Sequence, residues 1–171
     1  VEKEDYKISL AIAEKQSQEY DFEVDGSMFK ENTSDDIIDA HVSVKALLVS
    51  IEGQKRIDFR FKGFMIVPCD RCLEPLEVKI EQKSVLYLRN LGQQISDQTE
   101  DEDVLSVASY ERELDLSHYI YETILLCKPM QCVHKKGECS KEMIEKLKAE
   151  NNAHDKEIDP RWEALRNIKL D

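Results

Sequence analysis

At 171 residues and 41% hydrophobic content, the chain can bury one well-formed core and is short for two. No apolar run approaches the roughly 20 residues a membrane-spanning helix needs, and Val1-Glu2-Lys3-Glu4-Asp5 lacks the basic-then-apolar order of a secretory signal. A soluble, cytoplasmic protein without membrane partners is expected, with a processed or trimmed terminus because the chain starts at Val1 rather than Met. The net charge of −12 argues against a general nucleic-acid binder, whose affinity comes mainly from neutralising phosphates.

The charge is unevenly placed. Lys and Arg number 4 against 12 Asp and Glu over residues 1–40, 9 against 6 over 41–92, 1 against 8 over 93–115, and 10 against 9 over 128–171. The middle of the chain is thus mildly basic between acidic flanks. A solvated mixed-charge surface and an RNA-facing stripe both fit that pattern, and an acidic whole also attracts basic partners such as ribosomal proteins.

In chain order, Phe22 and Val24 alternate with acidic residues, Val42 and Val44 open a run to Ile51, and Glu52-Gly53-Gln54 supplies a turn. Ile57, Phe59 and Phe61 alternate with Asp58, Arg60 and Lys62, the pattern of a half-buried strand, so these runs predict a hairpin. Phe64 to Val67 leads into Pro68 and a turn, beyond which Leu76, Val78 and Ile80 alternate with Glu77, Lys79 and Glu81, and Val85 to Leu88 extends the strand. Residues 92–104 are polar and acidic and predict a mobile loop.

The period then changes. Leu116, Tyr119, Ile120, Thr123, Ile124 and Cys127 share one helical face, with Asp115 or Ser117 as the N-cap and Pro129 as the stop. Ser140 can cap a second helix with Met143, Ile144 and Leu147 inward, and Asp159-Pro160 a third, carrying Trp162, Leu165 and Ile168. Strands followed by helices predict an α+β fold: a mainly antiparallel sheet in the first half, about three helices in the second, and a single domain over residues 1–171.

Cys69-Asp70-Arg71-Cys72-Leu73-Glu74-Pro75 is the most informative stretch. Two thiols three residues apart at a hairpin tip can aim both sulfurs at one centre, which suits a tetrahedral metal or a redox dithiol. A metal needs two more ligands, and the segment from Cys132 to Cys139 is the only suitable source. His134 and Cys139, with Cys132 as substitute, would complete a Cys3His zinc site clamping distant segments together. The plain alternative leaves Cys69 and Cys72 as turn residues and His134 and Cys139 as ordinary residues near the second helix. Redox chemistry fits less well, because thioredoxin-like dithiols sit at a helix N-terminus whereas a strand follows Pro75. Cys127 reads as a core residue. The odd total of 5 cysteines, without an export signal, fits reduced thiols. No Gly-rich phosphate loop, Gly-x-Ser-x-Gly elbow or His-Glu-x-x-His helix occurs, so neither enzyme activity nor a small-molecule substrate is expected.

The run Gly63-Phe64-Met65-Ile66-Val67-Pro68-Cys69-Asp70-Arg71-Cys72-Leu73-Glu74 resembles the Cys-x-Arg-Cys-Leu signature of the YceD-like family of large ribosomal RNA subunit accumulation proteins. Further similarity follows in the same order: Asp115-Leu116-Ser117 with Glu122, His134 to Cys139, and Asp159-Pro160-Arg161-Trp162-Glu163-Ala164-Leu165. The resemblance covers the chain from about Phe22 onward. It implies a non-enzymatic factor for accumulation or processing of large-subunit (23S) ribosomal RNA, and some members look like zinc proteins. Where many members carry a second Cys-x-x-Cys after the position of Cys139, this chain runs Ser140-Lys141-Glu142-Met143. An RNA precursor or a ribosomal protein would then be the partner, bound through the basic sheet region, with Arg71, Arg60 and Lys62 the side chains to test.

Overall fold

The computed structural model describes residues 6–11, 16–31, 37–51, 54–90, 103–108 and 110–154. Its elements run β1 (Lys7–Ser9), β2 (Ser17–Asp25), α1 (Ser27–Glu31), β3 (Asp39–Ile51), β4 (Gln54–Pro68), β5 (Pro75–Asn90), β6 (Asp103–Val107), β7 (Glu113–Asp115), α2 (Ser117–Leu126) and α3 (Lys141–His154). The fold is α+β, as the order of periodicities predicts. The expected third helix of the second half, from Asp159, lies outside the described residues, as does 92–102 of the acidic stretch; Asp103 and Val104 at its end belong to β6.

A five-stranded sheet has the order β2-β3-β4-β5-β6, antiparallel except for the parallel β5/β6 pair, and β1 pairs with β7 in a separate two-stranded sheet. Two apolar runs that look separate in sequence are continuous here. Ile57, Phe59, Phe61, Met65 and Val67 all face inward along the single strand β4, because their spacing by twos is unbroken through Gly63. Gly63 is required there. A Cβ would lie 2.0 Å from the His41 carbonyl oxygen and 2.7 Å from the Val42 Cα, so only glycine lets β3 and β4 approach at that point.

The inner face of the sheet carries Val24, Val42, Val44, Ala46, Leu48, Phe59, Phe61, Ile80 and Leu86, all buried. Helix α2 covers it with Ile120 and Ile124, and Tyr119 meets Phe59 at 4.9 Å between ring centroids. Phe29 of α1 packs on Tyr121 at 5.5 Å. Of the two predicted caps, Asp115 takes part: its Oδ1 accepts from Ser117 N–H at 2.8 Å just ahead of α2, while Leu116 occupies the N-cap position itself. Ser140 offers its carbonyl to Ile144 N–H and so opens α3. Among the described residues no helix is long and apolar enough to cross a membrane.

Candidate metal centre

Strands β4 and β5 form a long hairpin whose register closes at Pro68↔Pro75, and the intervening residues 69–74 form its tip. Proline, which has no N–H to give the ladder, is tolerated here because Pro68 ends β4 and Pro75 begins β5. The tip is tied internally: Cys69 N–H donates to Glu74 O at 2.9 Å and Leu73 N–H to Cys69 O at 2.9 Å. Leu73 takes a left-handed conformation with φ 63°, a costly choice for a branched residue, and its side chain is exposed. That turn brings Cys69 and Cys72 back over the sheet end, both buried.

The second pair of candidate ligands arrives on the segment after α2. Asp70 holds that segment in two places, donating its N–H to Cys132 O at 2.7 Å and accepting Cys132 N–H on Oδ2 at 2.6 Å. Two residues on, His134 lies with Nδ1 3.4 Å from Cys72 Sγ and Nε2 3.2 Å from Pro75 O. With Nε2–H donating to that carbonyl, the Nδ1 lone pair is left for a metal, the orientation second-shell bonds impose on ligating imidazoles. A turn closed by Glu138 N–H to Lys135 O, with Gly137 at φ 95°, then returns Cys139 to the cluster.

The ligand atoms of Cys69, Cys72, His134 and Cys139 all lie within 4.8 Å of one another. A Cys3His zinc tetrahedron has edges of about 3.5–3.8 Å, so ligand atoms that lie within 4.8 Å of one another need at most roughly 1 Å of closure. The donor set fits: three sulfurs and one oriented imidazole suit Zn2+ better than the oxygen-preferring ions. Electrostatics agree. Burial pushes the Cys69 thiol up, but backbone N–H groups of Arg71, His134 and Cys72 outweigh it and hold its pKa at about 6. Burial also opposes ionisation of Cys72, whose pKa nevertheless falls because the backbone of Ser140 and Glu74 and the His134 ring favour the thiolate. His134 is raised, first by Cys69 and then by Cys72. Cys139 is raised by burial and by the neighbouring sulfurs, as expected for the last thiol to ionise in a crowded site without a cation.

Cys132 stands apart from this group. It is buried in the core, its Sγ is 3.5 Å from Pro129 O, and burial raises its pKa. Cys127 packs half-buried against the core, in line with its helical-face position. The three candidate partner-binding residues separate: Arg60 and Lys62 are exposed in the middle of β4, while Arg71 is exposed on the hairpin tip. Arg60 and Cys69 are nine residues apart along an extended chain, about 30 Å. Asp70 was not among the sequence candidates. Its partner is 62 positions away, and no local spacing signals such a bond.

The fold and cluster define an α+β protein whose sheet and C-terminal helical half meet at a Cys3His group. A family model described as "Large ribosomal RNA subunit accumulation protein YceD" matches residues 57–169. That is more than half of the chain, and the chain belongs to this family. The match holds all four clustered residues and begins within β4. Neither the curated proteins nor the solved structures contain a match to the chain.

Proposed function

We propose that this protein is a single-domain, non-enzymatic factor that supports accumulation or processing of large-subunit (23S) ribosomal RNA in the cytoplasm, by binding an RNA precursor or a ribosomal protein. Family membership over residues 57–169 carries this reading, because the family's description names that role. Arg60, Lys62 and Arg71 are the proposed contacts. Depleting the protein and measuring subunit profiles and precursor RNA tests it: a fall in free and assembled large subunits is expected, and unchanged large-subunit and precursor RNA would refute the role.

In the same reading Cys69, Cys72, His134 and Cys139 hold one Zn2+ as a structural clamp between the hairpin tip and the segment before α3. Their convergence within 4.8 Å supports this. Elemental analysis of purified protein should give about one zinc per chain, lost in Cys69→Ser; metal-free protein with an undiminished thermal midpoint would leave the thiols as ordinary turn and core residues. A thiol-redox role fits the site less well, since the turn that carries Cys69 and Cys72 leads into strand β5 rather than into a helix. It requires a Cys69–Cys72 disulfide that cycles with a cellular reductant.

A further inference from the structure

We infer that the outer face of the β3-β4-β5 sheet is a platform for single-stranded RNA. This rests on the ribosomal reading above and names the partner for part of its surface. Inter-strand register places the residues on one face: Lys45, Arg60 and Lys83 form one row, Ser43, Lys62 and Glu81 the next, and His41, Phe64 and Lys79 the third. Rows stand about 6.8 Å apart and neighbouring strands about 4.8 Å apart, so Arg60, Lys62, Lys79 and Lys83 form one compact cationic track. All four are exposed, and among the described residues none makes an ion pair within 4.0 Å. Lys45, by contrast, is held by Asp21 at 3.1 Å and Glu19 at 3.5 Å, and Arg56 by Asp58 at 3.3 Å.

At the end of this track lies an aromatic pair. His41 and Phe64 are 6.2 Å apart between centroids, tilted by 44°, on the face that α2 does not cover; His41 is exposed and Phe64 half-buried. Water-facing rings beside unpaired cations on an open sheet suit stacked bases with a bound backbone, and suit a duplex poorly because its bases are already stacked. Acidic groups bound the track on one side, where Glu19, Asp21, Glu23 and Asp25 line the β2 edge; on β5, Glu81 stands between Lys79 and Lys83, and Glu77 lies one row beyond Lys79. The β2 carboxylates exclude a strand of phosphates from that edge, and Arg60, Lys62, Lys79 and Lys83 against Glu77 and Glu81 leave the β4/β5 side locally positive, which reconciles a cationic site with a net charge of −12.

The test uses the full chain and fluorescently labelled 12-nucleotide oligoadenosine, oligouridine and a blunt RNA duplex, read by anisotropy across a salt series. Wild type should favour the single strands over the duplex. The triple variant Arg60→Gln, Lys62→Gln, Lys83→Gln should lose at least tenfold in affinity, with the log–log salt slope shallower by about 2, at roughly 0.7 per lost phosphate contact. Phe64→Leu, which keeps an apolar side chain, should lose at least fivefold while leaving the slope alone. Zinc content and thermal midpoint verify folding in each variant. Wild-type affinity and slope in the triple variant overturn the platform, as does equal binding of duplex, or binding of isolated large-subunit ribosomal protein without RNA. A triple variant that fully restores ribosomal RNA in depleted cells removes the platform alone, whereas depletion without a ribosomal RNA phenotype removes the functional reading.

Discussion

The hairpin tip and the open face of the same hairpin are built on opposite plans. At the tip the thiols are buried, the backbone is cross-tied, and Asp70 fixes a segment 62 positions away. On the open face Arg60, Lys62 and Lys83 stand exposed, with no ion-pair partner among the described residues. Substitutions at the tip should therefore register in stability and metal content, whereas those on the face should register in binding and its salt dependence. A chain can carry both on one pair of strands because the strand period sends alternate residues to different environments.

The largest expected effect is at the tip. Cys69→Ser should lose bound zinc and roughly 4 kcal/mol or more of stability, the range for a lost structural metal. Differential scanning calorimetry should show a midpoint lower by about 8 °C or more, at about 2 °C or more per kcal/mol for a domain of this size, and excess chelator should bring wild type to the same value. A drop of under 2 °C would erase the contrast. Next comes Asp70→Ala, which removes the acceptor for Cys132 N–H. Zinc affinity measured by competition with a chromophoric chelator should weaken about tenfold, as outer-shell partners typically do, with about 1 kcal/mol lost because the carboxylate is partly hydrated. Unchanged affinity would show that the strap docks without Asp70.

Asp115→Ala gives a smaller effect away from both regions. Hydrogen bonds from the Ser117 side chain and backbone hold the Asp115 carboxyl below its ordinary value of 3.8, so its contribution is present above that pH and is lost as pH falls through the lower folded value. The difference from wild type should be about 0.5–1 kcal/mol at neutral pH and should shrink as pH falls below 3.8; a constant difference would assign the loss to something other than ionisation. Smallest in stability is Lys62→Glu, expected within about 0.5 kcal/mol by urea titration, although it reverses a charge in the middle of the cationic track. Substantial destabilisation there would mean the open face is structural after all.

Much of the fold was legible because single-face burial leaves a two-residue period, as at Ile57, Phe59 and Phe61, and α2 repeats its apolar residues at helical spacing. The strand continuity across Gly63 was less visible: a glycine interrupts the apolar pattern, and its reason is the approach of His41 and Val42 on another strand. The parallel docking of β6 beside β5 was also not readable, since register between strands depends on partners rather than on local period. At the site, ligand residue types and the Cys-x-x-Cys spacing pointed to Cys69, Cys72, His134 and Cys139, which the fold brings together. The choice between Cys132 and His134 turned on a backbone tie. By holding Cys132 through its main chain, Asp70 leaves that thiol facing the core and carries His134 to the cluster.

The separation of the ligand pairs along the chain also sets a clock. Synthesis proceeds from the N-terminus at roughly 5–20 residues per second, so Cys72 leaves the peptidyl-transferase centre about 3–13 s before Cys139 is made. For that interval every nascent copy carries a Cys-x-x-Cys with no chain-borne partners, open to oxidation or to capture of a metal by two thiols alone. The β4/β5 hairpin that presents these thiols is local and can form early, whereas closing the cluster must wait for translation to pass Cys139.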